Sequence, residues 1–568
     1  MTVDRGPLAP RTRPVGLRSV VRVPGFRADP GDDSLERAFA YAAEPSRGDL
    51  DAWQDAILAE LGRAVTDADP PTAVATRVER WIYGWQTVTS SDSFEGFRRG
   101  FADAVIVRLR EDVTHVWEHL EPDSCERSRF LYVLLVAGIA LGERDDAETA
   151  LRLLADHAPT ELCDDGVHRA RTSGDQLDAV RVLIGAMANA TAAGMAIPRR
   201  LSDGASRACT FAMHLHRADG TMPALGDGIE RDGRPLLRLA STILGRGDLE
   251  WVATDGRSGR VPSVAVTTFA SGGYLVWRSG WGTDRAFEHE RWGLFDIGAV
   301  GAVDATGEPG RTDPLGLTLA NGCETLVVDR PADGQRVGVD GRLVGSAPSD
   351  APTAVTVDGL DNVYRLASVA AVGTAGRQPR STGRRPRPRV AAALTYHATI
   401  DGLDLAIGSV TNHHLQVTHT RAVAFVGGEY WVVHDRLRSA DPHCYTVRWY
   451  LPPGAAGCTS VRASGEQVVT WAPHVRIASP AWCGTTHVED RDGVSRGGQL
   501  AGPVVVTTVD GKADADIVTV INGSGVDVFG VHAIVDEDAV TIAVERHRRT
   551  DRVGWSSDGP PWFDVTLH

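Results

Sequence analysis

A chain of 568 residues is longer than one hydrophobic core usually fills and points to two or three domains. Its hydrophobic fraction of 42% and charged fraction of 23% are globular values, which exclude extensive disorder. The formal charge of −15 excludes a general nucleic-acid or membrane-surface binder, because both require a basic field. Nearly all basic side chains are arginine, with Lys512 the only lysine, a bias expected of a GC-rich bacterial genome.

In chain order, residues 1–32 form an N-terminal extension with charges but no apolar stretch of signal-peptide length, so a cytoplasmic location is expected. From about Asp33 to Arg246 apolar residues recur at helical spacing, as in DAWQDAILAELGRAV, AVATRVERWIYGWQTV, FEGFRRGFADAVIVRL and AVRVLIGAMANATAAG. This predicts a helical domain over 33–257. The longest apolar run, Phe130 to Leu141, is too short to span a bilayer and reads as a buried helix. The seven cysteines are scattered without a Cys-x-x-Cys pair, as expected of reduced thiols.

A polar linker near 246–262 separates this array from a second region, 258–568, where the period becomes two. VAVTTFA, GYLVWRSG, RWGLFDIG, LGLTLANG, RAVAFVGGEYWVVHDRL, YTVRWYL and AVTIAVERH read as strands joined by Gly, Asp and Asn turns, which predicts a large antiparallel β-sandwich. The Arg- and Pro-rich stretch 375–389 reads as a solvated loop, or else as an arginine arm that attracts an anionic substrate. His413, His414 and His419 are placed on a surface strand, spread over both faces.

The stretch from Phe295 to Asp329, FDIGAVGAVDATGEPGRTDPLGLTLANGCETLVVD, carries the most specific pattern. It resembles the motif of the heparinase II/III-like family of polysaccharide lyases, in which Phe-Asp-x-Gly leads through glycines into His-Gly-His-Ala-Asp and a strand ending in Val-Asp. Phe295, Asp296, Gly298, Gly310, Asp313, Leu315, Val328 and Asp329 keep that frame, while the two histidines fall on Pro309 and Arg311. The resemblance extends over most of the chain. DDGVHRARTSGDQLDAVRVL matches the segment that in the family closes on Tyr-His, here Asp175-Gln176, and HRADGTMPALGDG at 216–228 matches the turn beside the cleft. The resemblance implies an α+β multidomain chain, an incomplete α/α toroid followed by the sandwich.

In metal-containing relatives the second histidine, the strand-end aspartate and a histidine before a Val-Asp-Gly turn hold zinc. Here the positions before Val357-Asp358-Gly359 read Pro352-Thr353-Ala354, leaving one acidic ligand where zinc needs about four. A metal-independent site without a cofactor is therefore expected, with Arg311 paired to Asp329.

The chemistry implied is removal of the proton α to a uronate carboxylate and expulsion of the C4 oxygen, for which charge neutralisation and a proton shuttle are needed. Gln176 and Arg311 are the candidate neutralisers. Asp175, whose bland alternative is a helix cap, and Asp313 are the candidate bases. Glu308 and Asp304 lie in the glycine-rich loop before Arg311, and His168 reads as structural. Trp81, Tyr83, Trp85, Arg127 and Asp227 are taken as substrate-binding, with core packing the alternative for the aromatic three. His214 and His216 flank a helix end and read as solvated or capping. The expected partner is an acidic carbohydrate or sugar-like small molecule, with no nucleic acid and no membrane, and a homodimer is the assembly envisaged. Besides the lyase, a uronate C5-epimerase and a non-catalytic carbohydrate-binding or scaffold protein remain open.

Overall fold

The computed structural model describes residues 16–23, 47–66, 68–92, 94, 96–122, 124, 126–225, 231–298, 315–328, 336–337, 343–344, 355–361, 390–413, 415–490, 502–556 and 559–568. Two compact units emerge, Met1–Leu162 with Asp178–Ser206, and Cys163–Leu177 with Arg207–His568.

The first unit is helical. It contains α1 (Arg47–Leu61), α2 (Pro71–Thr89), α3 (Phe101–Glu118), α4 (Arg127–Leu141), α5 (Arg144–Glu161) and most of α6 (Ser173–Ala192), with the start of α7 (Arg199–Leu215). Pro71 occupies the first turn of α2, where its missing N–H is harmless and its fixed φ suits a helix. Behind it Val74, Val78, Trp81, Ile82, Trp85 and Val88 form the buried stripe. The expected helix from Phe94 starts only at Phe101, because Gly100 precedes it in the left-handed region at φ 78°. Helix α4 is apolar all round and buried on nearly every side, ending on Gly142 in the left-handed capping conformation. Its Tyr132 hydroxyl meets the Tyr83 hydroxyl of α2 at 2.5 Å, and burial raises the Tyr83 pKa well above its usual value. Arg181 forms a buried ion pair with Glu79.

The second unit holds the first turn of α6 and most of α7, then α8 (Arg234–Leu244), α9 (Gly247–Ala253) and a succession of sheets. Strands β1 (Thr267–Phe269), β2 (Tyr274–Arg278), β3 (Arg291–Asp296), β4 (Leu317–Asn321) and β5 (Glu324–Val327) form a meander in chain order. Strands β6 (Val390–Ile400), β7 (Leu403–Asn412), β8 (Val417–Val426) and β9 (Tyr430–Ser439) open an eight-stranded sheet. Residues 515–523, 475–480, 467–471 and 460–463 complete it. The β8–β9 hairpin is closed by Gly427, Gly428 and Glu429; both glycines stand at positive φ, and the Glu429 N–H donates to the Val426 carbonyl at 2.9 Å. A second five-stranded sheet is built around 443–450 and 504–512, and a four-stranded one closes the chain over 528–567. Every strand pair among the described residues is antiparallel. Leu275, Trp277, Phe295 and Leu317 of the first meander share one hydrophobic core with Val423, Phe425 and Trp431 of the eight-stranded sheet.

Candidate active site

Within the second unit, the segment 163–177 is pinned to the β1–β5 meander. Asp165 accepts the Gly272 N–H at 2.8 Å, and Arg171, itself at φ 60°, donates to Asp296 Oδ1 at 2.6 Å and to the Gly273 carbonyl at 3.2 Å. Both partners of the Arg171–Asp296 pair are buried, and the guanidinium lies 4.6 Å from the Tyr274 ring centre. The same Asp296 oxygen accepts the Gly298 N–H at 3.0 Å. A Cβ at Gly298 would fall 2.2 Å from the Arg171 guanidinium, so any side chain there would push the guanidinium off Asp296. This accounts physically for the Phe-Asp-x-Gly signature: the aspartate is a charge-paired anchor, and the glycine makes room for its arginine.

The chain re-enters the described region at Leu315, on the far side of residues 299–314. Leu315 stands in the left-handed region at φ 65°, donates its N–H to the Asp296 carbonyl at 2.7 Å, and accepts from Arg421 Nη1 at 2.7 Å. Arg421 is bound in turn to Asp435 (Nε to Oδ1, 2.6 Å; Nη2 to Oδ2, 3.1 Å), and His419 Nε2 meets Asp435 Oδ1 at 2.7 Å. All three side chains are fully buried. The Arg421 and His419 contacts hold the Asp435 carboxyl far below its ordinary range, and burial lowers the His419 pKa. The surface strand expected around the histidines is therefore corrected. His413 lies in an exposed turn, and His419 falls on the inward face of β8 beside Val417 and Arg421, while His414 lies outside the described residues.

Asp175 and Gln176 adjoin in the first turn of α6. Asp175 is exposed, accepts from the Thr172 hydroxyl at 2.6 Å and gives its own N–H to that hydroxyl at 3.0 Å, which is a reciprocal helix cap. Gln176 is 1% exposed. It accepts the His168 N–H at 2.7 Å and donates to the carbonyls of Gly166 and Ala208 at 3.0 and 3.1 Å, which fastens the 163–171 loop to α7. Ser173 beside them ties α6 to the 221–225 turn through the Pro223 and Leu225 carbonyls.

Arg311, Asp313, Asp227, Glu308, Asp304, Asp329 and the stretch 375–389 lie outside the described residues. Asp358 lies in a hairpin turn, where its carboxylate accepts the Cys444 N–H at 2.8 Å and meets His443 Nδ1 at 2.7 Å. Among the described residues no three His, Cys, Asp or Glu side chains gather as a metal site would need. In the helical unit Trp81 and Tyr83 are wholly buried and Trp85 is 4% exposed, which makes them core where sugar stacking was expected. Their positions on the inner stripe of α2 explain this. Arg127 spans the α3–α4 loop, donating to the Leu120 and Glu121 carbonyls. His214 and His216 are buried rather than solvated, and His216 Nδ1 meets the Ala212 carbonyl one turn back at 2.7 Å. A surface groove of about 490 Å³ is lined by Asp232, Arg234, Arg238 and Thr242, among others, and by none of the residues selected from sequence. Sequence reasoning passed over Arg171, Arg421 and Asp435. An arginine or aspartate inside an otherwise apolar strand, as in RAVAFVGGEYWVVHDRL, was the available signal.

Residues 350–520 match the family model described as Heparinase II/III-like, C-terminal. A search of curated proteins returned no match. Among solved structures, the chain is similar to a heparinase III, with 13% identity, a TM-score of 0.69 and coverage of 92% of this chain and 81% of the other. It is also similar to the heparan sulfate lyase HepC of Pedobacter heparinus, with 14% identity, a TM-score of 0.64 and coverage of 94% and 82%. A further heparinase III gene product gives 14%, 0.64, 86% and 74%. At these identities the likeness establishes a shared fold. No helix of the described residues is long and apolar enough to cross a membrane.

Proposed function

We propose that this chain is a carbon–oxygen lyase that cleaves an acidic sugar, or a sugar-like biosynthetic intermediate, by α-proton abstraction, independently of metal, in the cytoplasm. The observation that carries the reading is the anchored frame. Asp296 and Leu315, the two ends that bracket residues 299–314, are held to each other by a 2.7 Å hydrogen bond and to Arg171 and Arg421 by buried charged contacts. Such clamping supports the reading, because catalytic side chains require their flanking segments to be held in place. On this reading Arg311 neutralises the substrate carboxylate, which acidifies the adjacent C–H, and Asp175 or Asp313 takes the proton as C4–O breaks. Asp175 is exposed with one carboxylate oxygen engaged by its cap, while the bonds of Gln176 suit it to holding the loop. The helices are read as an incomplete α/α toroid over 33–257 and the sheets as a β-sandwich over 258–568, with self-association into a homodimer.

The engagement of Gln176 and the capping geometry of Asp175 favour a second reading, a carbohydrate-binding protein that uses this fold without chemistry. An epimerase would instead need two proton-transfer groups on opposite faces of the ring.

The test is the ultraviolet absorbance of a conjugated unsaturated uronate during incubation with uronic-acid oligosaccharides, with Arg311→Ala as control. A rise lost in the variant is expected. A flat trace with binding still measurable by calorimetry would move the reading to the non-catalytic protein, and solvent deuterium entering C5 without absorbance would indicate the epimerase.

A further inference from the structure

Arg278 ends β2, at the opposite end from Tyr274, where Arg171 packs. Its side chain is 2% exposed, yet Nε, Nη1 and Nη2 all lack a hydrogen-bond partner among the described residues. Folded proteins rarely bury an arginine unpaired, because an uncompensated cation in a low-dielectric interior is strongly disfavoured. Glu290 does not supply the missing contact. Its Oε2 accepts from the Ser279 hydroxyl and its Oε1 accepts the Gly282 N–H at 3.0 Å, so it acts on Arg278 through its field alone. The guanidinium lies 4.1 Å from the Trp281 ring centre and 6.0 Å from that of Phe287. His214 packs against the same indole at 5.3 Å, and its Nδ1 is likewise buried without a partner among the described residues. Burial drives the Arg278 pKa down to about 9 and that of His214 down to about 3, so at neutral pH the guanidinium is charged and the imidazole is not.

The Arg278 guanidinium offers unused N–H donors, with the rings of Trp281 and Phe287 beside it. Water would satisfy the N–H groups but leave the charge, whereas a monatomic anion does both and has no hydrogen of its own to place. We propose that a halide, chloride under ordinary conditions, sits against the Arg278 guanidinium beside Trp281 and His214 as an internal counter-ion of the sheet unit.

Crystals of the full chain soaked in bromide decide this. An anomalous peak at hydrogen-bond distance from the guanidinium is expected, and a water or a reoriented Glu290 carboxylate there would overturn the proposal. In solution, unfolding of the wild type in chloride should occur several degrees above that in gluconate at equal ionic strength. Arg278→Met should remove that difference. Equal midpoints for the wild type in the two salts would refute the site. Should the variant fail to fold, the bromide map of the wild type decides alone.

Discussion

Two buried carboxylates, Asp112 in the helical unit and Asp435 in the sheet unit, each hold two basic side chains, over very different reaches of chain. Asp112 accepts Arg77 Nε and Nη2 at 2.8 and 2.7 Å and Arg108 Nε at 2.9 Å. Arg108 lies one turn earlier on the same helix, and Arg77 on the preceding helix. Asp435 reaches His419 and Arg421 on the neighbouring strand, and Arg421 in turn holds the Leu315 carbonyl, 106 residues from itself. Helices satisfy their backbone locally, so a buried charge in them mends a local seam. Sheets leave side chains to join distant segments, and here the joined segment begins at Leu315, beside the sequence motif.

The largest test of this contrast is Asp435→Asn, which strands a fully buried Arg421 and should lower unfolding free energy by about 3–5 kcal/mol in denaturant titration. Product formation should fall with it, since Leu315 loses its anchor. A loss under about 1 kcal/mol would show that the Leu315 carbonyl and the other groups around Arg421 hold it without the carboxylate. Asp112→Asn should cost less, about 2–3 kcal/mol, because Arg77 keeps Glu60 at 3.9 Å and partial exposure. Activity per folded molecule should be unchanged, and equal losses in both variants would erase the comparison.

Acid titration sharpens it. Burial depresses His214 to about 3 and His216 to about 4, so below pH about 6.5 the unfolded chain takes up protons that the folded one refuses. Each histidine should then remove about 1.4 kcal/mol of stability per pH unit as pH falls from about 6.5 toward 4. Asp435 adds to this below about pH 4, because its depressed folded pKa gives stability that is present above the unfolded value and lost beneath it. A flat stability profile between pH 6.5 and 4 would contradict the burial of the two histidines.

The smallest expected effect is the most informative about function. Thr172→Ala removes the α6 cap and should cost about 1 kcal/mol without altering turnover of the remaining folded protein. Asp175→Ala should cost a similar amount and, if Asp175 is the base, also abolish the absorbance rise. Unchanged turnover in Asp175→Ala would confine it to the cap and leave Asp313 as the candidate base.

Much of the architecture was legible because periodicity is local. The stripe of α2, the apolar run of α4 and the strands on either side of Gly427-Gly428 lie where spacing put them. The late start of α3 was not read, because helical spacing continues through Gly96 and Gly100 although their backbones leave the helical region. The site was legible in part. Asp296 and Gly298 stood out in a motif, but Arg171 did not, since nothing in a run of charged residues shows which one turns inward. Trp81, Tyr83 and Trp85 were ambiguous for the opposite reason, as an aromatic stripe suits a core or a sugar equally until burial is known.

Where helices give way to strands follows from local spacing, because a residue's neighbours within a few positions set its backbone preference and its face. Which polar side chains are buried and paired follows from packing alone. Arg171 with Asp296, Arg421 with Asp435 and Leu315, and Arg278 unpaired beside Trp281 each depend on segments brought together by packing. Electrostatic pairing acts over a few ångströms of space and carries no trace in the spacing of residues along the chain.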